Sequence, residues 1–357
     1  MPKTCTSTRS PPIFHGPAAC AARSRNLLRS TLSIHPPFRP AWWLPGPHLP
    51  TIWGKLARRL PDAHERIELW PTPDGDRLSV ARLDAPDPDA PLLLLLHGLE
   101  GSVRSKYAQG LMHHARARGW SAALVIFRSC DGRIPATPRL YHSGETSDAD
   151  LVIRRLAAER PGRALLAAGV SLGANVLLKW LGEQGDRTPP ELRRAAAIST
   201  PFDLAAGSRH LERGFSRVYV RHFVKGLRAK ALRTLARHPG LPVDRGRLLA
   251  ARSFWDFDDV FTGPVHGFAG ADDYYARSSS LGFLDRITVP TLLHSAVDDP
   301  FLPAAILDRV REVARRTPAL TVDFTPHGGH VGWVAGPPWA PIYWMEHRVT
   351  HWLGGGS

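Results

Sequence analysis

Apolar positions along this chain alternate between two rhythms. Unbroken apolar runs at residues 92–96, 122–127, 164–168 and 195–199 are short enough to be strands buried on both faces. Segments 289–296 and 320–324, with polar residues among the apolar ones, also read as strands. Between them, apolar residues recur at helical spacing over residues 107–117, 147–159 and 174–181. Ser147-Asp148-Ala149-Asp150 reads as a capping box opening the second of these helices. Upstream, residues 66–70 and 78–83 flank Pro73-Asp74-Gly75-Asp76, a hairpin signal. This alternation predicts an α/β protein: a mostly parallel central sheet with helices on both faces. The rhythm breaks between Pro201 and Leu284, where helical patterns dominate, including 204–211 and 218–235.

The junction of the 164–168 strand and the 174–181 helix reads Gly169-Val170-Ser171-Leu172-Gly173. Strand, sharp turn and helix make the context of a nucleophile elbow, with Ser171 as the nucleophile. The turn strains the serine backbone, and glycines two residues either side remove Cβ atoms that would clash there. The helix that follows offers its first N–H groups, Leu172's among them, to a developing negative charge. The competing reading is a glycine-rich loop that carries a serine by chance.

A serine nucleophile needs a base, and the base needs an orienting acid. On this kind of elbow the chain order is serine, acid, histidine. The 289–296 run ends in Val297-Asp298-Asp299-Pro300-Phe301-Leu302-Pro303, past the C-terminal end of a candidate strand. Asp299 is favoured as the acid because a proline-flanked turn follows it. Asp298 is the alternative, and either could instead cap a helix beginning near Ala304. After the last candidate strand, Pro326-His327-Gly328-Gly329-His330 offers two histidines on a glycine-rich loop. His330 is the candidate base and His327 the alternative. No carboxylate or cysteine joins them at ligand spacing, so neither a metal nor a cofactor is expected. The 92–96 run opens into His97-Gly98-Leu99-Glu100-Gly101, where the N–H of Leu99 is the second candidate oxyanion donor beside that of Leu172. His97 is expected to be a packed, hydrogen-bonded residue beside the site.

With these elements in order, the chain resembles the YheT-type α/β-hydrolases, the abhydrolase-4 group. The likeness spans residues 38 to 353. It is carried by Trp43-Leu44-Pro45-Gly46-Pro47-His48-Leu49-Pro50-Thr51-Ile52-Trp53, by Phe127-Arg128-Ser129-Cys130-Asp131-Gly132 and Tyr141-His142-Ser143-Gly144-Glu145-Thr146, by the elbow through Asn175, and by Gly328-Gly329-His330-Val331-Gly332. Phe257-Asp258-Asp259, His266-Gly267-Phe268 and Tyr274-Tyr275 add to it. Ser129-Cys130-Asp131 departs from the Gly-Cys-Ser more often found in relatives. The resemblance implies an α/β-hydrolase fold with a helical cap inserted at about 201–284, and a triad of Ser171, Asp299 and His330. It implies hydrolysis of small acyl or lipid esters.

Composition narrows the picture further. A chain of 357 residues with 43% hydrophobic content can bury a substantial core. No apolar stretch approaches the ~20 residues that span a bilayer, and three scattered cysteines favour a reducing compartment, so a cytoplasmic protein without a membrane anchor is expected. The net charge is +14, and the first acidic residue is Asp62. Residues 1–37 lack patterned apolar positions and are expected to be a basic extension, a transit-like segment or residues ahead of a later start. Residues 354–357 read as a flexible tail. Within the cap region, Arg217, Arg221, Lys225, Arg228, Lys230 and Arg233 recur along one predicted helix. They are expected to form a solvated face, with weak contact to an anionic membrane as the sharper alternative. No recognition motif accompanies the charge, so no nucleic acid partner is expected. The expected activity is that of a serine carboxylic ester hydrolase. An acyltransferase of the same fold and a non-catalytic binding module are the alternatives.

Overall fold

The five leucines Leu92–Leu96 form a strand at the centre of an eight-stranded sheet, and all are buried. A computed structural model of the chain describes Met1, residues 37–60, Ala63 and residues 65–356. The expected N-terminal extension therefore lies almost wholly outside the described residues. The chain divides into two units, Met1–Pro37 and Phe38–Ser357, and the sheet belongs to the second.

The main elements are α1 (His48–Leu56), β1 (Arg66–Pro71), β2 (Arg77–Leu83), β3 (Leu92–Leu96), α2 (Lys106–Ala117), β4 (Ser121–Ile126), α3 (Ser147–Glu159), β5 (Leu165–Val170) and α4 (Leu172–Gln184). They continue with β6 (Leu192–Ile198), α5 (Leu204–Leu211), α6 (Arg217–Arg237), α7 (Ala271–Ser278), β7 (Thr291–Ala296), α8 (Ala304–Ala314), β8 (Leu320–Thr325) and α9 (Trp344–Leu353). The strand order is β1-β2-β4-β3-β5-β6-β7-β8. Strands β3 to β8 run parallel, and the β1–β2 hairpin adds antiparallel to β4 at one edge.

The two-residue period of a strand divides the β3 leucines between two cores. Leu92, Leu94 and Leu96 pack with Val152 and Leu156 of α3, Val176 and Leu177 of α4, and Ile306 and Val310 of α8. Leu93 and Leu95 pack on the opposite face with Leu111 and Met112 of α2 and Val349 and Trp352 of α9. Each fully buried leucine contributes about 1.5–3 kcal/mol, which is why a strand with no polar face is stable only between two helical layers.

One local expectation fails. The predicted capping box does not form, because Thr146 is the N-cap of α3 and makes no side-chain cap bond. The Ser147 hydroxyl instead donates to Glu145 Oε1. Ahead of α1, Trp43 donates to the Gly336 carbonyl and packs edge-on against Trp53, whereas Trp42 is 76% exposed. Between β6 and β7 lie α5, α6, short helical turns over residues 245–265, and α7. This segment has its own small core around Ala231, Leu248, Phe257 and Phe261.

Candidate active site

Ser171 stands alone between the last residue of β5 and the first of α4, at φ 54° and ψ −120°. A non-glycine residue in such a conformation costs about 1–3 kcal/mol and persists only where its surroundings hold it. Two features hold it here. The Ser171 N–H donates to the Ile198 carbonyl at 2.8 Å. The flanking glycines allow the strand and helix to close on each other: a Cβ on Gly169 would lie 2.5 Å from the Gly173 carbonyl oxygen, and one on Gly173 would lie 2.3 Å from that of Leu96. The Ser171 hydroxyl is thereby presented to the His330 loop.

His330 Nε2 lies 2.9 Å from Ser171 Oγ, and its Nδ1 lies 2.9 Å from Asp299 Oδ2. Asp299 is nearly buried and also accepts the Phe301 N–H at 2.8 Å through Oδ1. The Phe301 ring stacks on the imidazole at 4.0 Å with planes 6° apart, which fixes the ring's orientation from the side. The structure brings together Ser171, His330 and Asp299. It does not bring Asp298 to His330, or His327 to Ser171. Asp298 instead accepts the Gly329 N–H at 2.9 Å and faces His327 Nδ1 at 3.2 Å. Neither acid caps the following helix, whose N-cap is Pro303. Helix α1 supports the histidine loop from behind: His330 N–H donates to Thr51 Oγ1, and the Thr51 hydroxyl donates to the Pro47 carbonyl.

The loop after β3 approaches so closely that a Cβ on Gly98 would stand 3.2 Å from Ser171 Cβ. Its amides are individually tethered. Gly98 N–H donates to the Tyr107 hydroxyl at 2.8 Å, and Glu100 N–H donates to the Tyr141 hydroxyl at 2.9 Å. Leu99, the expected oxyanion donor, sits between these two fixed amides, while Leu172 opens α4 beside the serine. His97 is buried with Phe127 N–H donating to its Nε2 at 3.1 Å and Nδ1 2.7 Å from the Gly98 carbonyl. Burial pushes its imidazole down to about 4, so it is neutral and donates from Nδ1. It braces the loop rather than moving protons.

No family model matches the chain. It is 40% identical over 312 residues to the Escherichia coli protein named "Putative esterase YheT", covering 86% of this chain and 89% of that one. The chain belongs to the YheT-type α/β-hydrolases. A Saccharomyces cerevisiae relative, named "Monoacylglycerol lipase", is 30% identical over 256 residues, covering 69% of this chain and 56% of its own length. Among solved structures, the Pyrococcus furiosus esterase Pf2001 superposes with a TM-score of 0.54 at 16% identity, over 82% of this chain and 90% of that one. The last of these likenesses speaks to the α/β-hydrolase fold alone. This member of the YheT-type group is a hydrolase that acts on ester bonds.

Several residues of this hydrolase's site carry no signal in sequence spacing. Thr51, Tyr107, Tyr141 and Phe301 all hold parts of the site; Thr51 and Tyr141 fall within segments of the family resemblance and Phe301 follows the acid, yet nothing in their spacing gives these contacts. Lys230 was expected on the solvated basic face of α6, but it is buried and donates to Glu100 Oε1 at 2.6 Å. Arg228 is also engaged, donating to the Leu249 and Ala251 carbonyls. Arg217, Arg221, Lys225 and Arg233 are exposed. A hollow of about 760 Å³ lined by Asp203, Tyr275, Leu281 and Arg309 contains none of the residues around Ser171. No described helix is long and apolar enough to cross a membrane.

Proposed function

We propose that this protein is a serine carboxylesterase or monoacylglycerol lipase for short- to medium-chain acyl esters, working through an acyl-enzyme. The observation that carries this reading is the continuous hydrogen-bonded line from Ser171 Oγ through the His330 ring to Asp299. In this mechanism Ser171 Oγ attacks the ester carbonyl carbon and its proton passes to His330 Nε2. Asp299, accepting from Nδ1, holds the ring and stabilises the imidazolium. The carbonyl oxygen becomes an oxyanion that accepts from the N–H groups of Leu99 and Leu172. Each such donor is worth roughly 3–4 kcal/mol at the transition state. Collapse expels the alcohol, which takes the proton from His330, and a water repeats the sequence to free the acid.

The segment over residues 201–284 is the cap in this reading. Tyr219 and Phe223 of α6 meet Phe301 at ring distances of 5.0 and 6.5 Å, directly above the imidazole. These rings supply an apolar wall for an acyl chain. The yeast relative's name supports a glycerol monoester as one substrate. Exposed Arg217 and Arg221 lie beside the half-exposed Phe215 and Val218, which supports transient contact with an anionic lipid surface.

A fluorophosphonate probe and a series of p-nitrophenyl esters of rising chain length test the assignment. Labelling should map to Ser171, vanish in Ser171→Ala, and accompany hydrolysis of acetyl to octanoyl esters. Unchanged labelling or hydrolysis in Ser171→Ala would remove the proposal.

A further inference from the structure

Lys230 is the one basic side chain of α6 that leaves the expected solvated face for the interior of the site. An ammonium group is buried at little cost only when it is paired and hydrogen-bonded. Its Nζ donates to Glu100 Oε1 at 2.6 Å, lies 3.6 Å from Cys130 Sγ, and stands 5.3 Å from the Tyr141 ring centre. The Tyr141 hydroxyl donates to the same Glu100 oxygen at 2.6 Å and accepts the Glu100 N–H at 2.9 Å. Glu100 itself has φ of +56°, a left-handed backbone that a glutamate adopts only under restraint. The residue before it is Leu99.

Resting on the esterase reading above, we propose that Lys230 is a positioning residue for the oxyanion hole. It acts through Glu100 to hold the Leu99 N–H toward the Ser171 adduct. The chain of cause is short. Lys230 neutralises a carboxylate whose side chain is three-quarters buried. The carboxylate holds the Tyr141 hydroxyl with its oxygen toward the Glu100 amide. That amide fixes the Leu99–Glu100 peptide plane, and the Gly98–Leu99 plane, which carries the Leu99 N–H, is held through the Gly98 carbonyl, which accepts from His97 Nδ1 and the Gly101 N–H. Because Lys230 lies on the helical segment between β6 and β7, this ion pair also makes the oxyanion hole sensitive to where that segment sits.

Without Lys230 the carboxylate keeps a single donor in a poorly solvated place. It then turns to solvent, and the left-handed Glu100 backbone loses its restraint. The Leu99 N–H contact forms with the oxyanion and not with the ground-state ester. A misdirected donor therefore lowers kcat and leaves KM nearly unchanged. A staple that only attached α6 to the sheet would lower thermal stability and leave both kinetic constants alone.

The experiment compares wild type with Lys230→Met, Lys230→Arg, Glu100→Gln and, as a control on the exposed face of the same helix, Arg233→Ala. A short soluble ester, p-nitrophenyl butyrate, gives kcat and KM. A trifluoromethyl ketone, whose hemiketal oxyanion on Ser171 occupies the hole, gives an independent affinity. Lys230→Met is expected to lower kcat at least about tenfold, a part of the ~100-fold or more lost with a whole donor, at a KM within twofold. Ketone affinity should weaken by a similar factor. Lys230→Arg should recover most of both, and Arg233→Ala should match wild type. Folded Lys230→Met with kcat and ketone affinity within twofold of wild type overturns the positioning role and leaves the esterase reading intact. Wild-type protein that hydrolyses no ester overturns both. If Lys230→Met does not fold, Glu100→Gln carries the same test, since glutamine keeps an acceptor for Tyr141 and loses the charge that Lys230 meets.

Discussion

The strand-end rim of the sheet and the helical segment between β6 and β7 hold their polar groups by different means. At the rim, side chains are aimed by the backbone that carries them. Ser171 follows from a strand, a turn and a helix in immediate succession, with glycines where a Cβ would collide. Asp299 and His330 lie just past the ends of β7 and β8, so the parallel sheet delivers them to the same edge. In the helical segment, the sequence spaces basic residues evenly along α6, yet their fates diverge. Lys230 is buried on Glu100, Arg228 is spent on two carbonyls, and Arg221 faces solvent. Local pattern decides position at the rim, whereas contacts with distant chain decide it in the helices.

The sharpest break between the regions is catalytic. Asp299→Asn and His330→Ala are each expected to lower kcat by about 10⁴, because the imidazole loses its tautomer or is removed outright. Asp298→Asn should cost less than tenfold, since an amide oxygen can still accept the Gly329 N–H. Initial rates on a short ester check this, and an Asp298→Asn loss equal to that of Asp299→Asn would reverse the assignment.

Next in size is a pH effect confined to the helical segment. Asp258 is half-buried, and the groups that meet its carboxylate are the hydroxyls of Thr262 and Tyr275. Burial raises its carboxyl to about 6, partly offset by hydrogen bonds from Thr262 and Tyr275. A carboxyl raised on folding contributes stability that is complete below the unfolded value of 3.8 and is lost as pH rises through about 6. The change is on the order of 3 kcal/mol between those limits. Asp258→Asn should flatten the pH dependence of Tm between pH 4 and 7. A slope unchanged in the variant would sink this account of Asp258.

Glycines give a smaller contrast. Gly173→Ala should destabilise by roughly 1–3 kcal/mol or more, because its Cβ would meet the Leu96 and His97 carbonyl oxygens well inside contact distance. Gly226→Ala, in the interior of α6, meets only an ordinary contact 3.7 Å away and should stabilise by about 0.5–1 kcal/mol. Thermal melts of the two variants should move in opposite directions. The smallest effect is on acyl preference. Phe223→Ala should move the chain-length optimum toward longer esters gradually, by at most about 0.8 kcal/mol per methylene. Equal loss toward all lengths would make Phe223 a packing residue.

Much of the architecture was legible because its signals are local. Five consecutive leucines allow only a strand buried on both faces, and the strand–helix alternation leads to a parallel sheet covered twice. The G-x-S-x-G run carries its own steric reason. Less legible was the choice between neighbours. Asp298 and Asp299 differ by one residue, and in the turn past β7, closed by the Asp299 N–H on the Ala296 carbonyl, that is enough to send one carboxylate to Gly329 and the other to His330. The α3 capping box misled because Ser147 found a better acceptor in Glu145, two residues upstream, and so sits inside the helix rather than at its cap.

By itself, the sequence determined the sheet, its helical layers, the serine elbow and the edge where an acid and a histidine could meet it. Each of these depends on residues within a few positions of one another, where periodicity and steric exclusion leave few alternatives. Only the tertiary structure decided which aspartate faces the imidazole, that Phe301 lies flat on it, and that Thr51 and the two tyrosines hold the loops. It alone turned Lys230 inward onto a glutamate 130 residues away. A hydrogen bond or ion pair across such a separation leaves no periodic trace in the chain, because it is selected by the desolvation of both partners once the fold has brought them together.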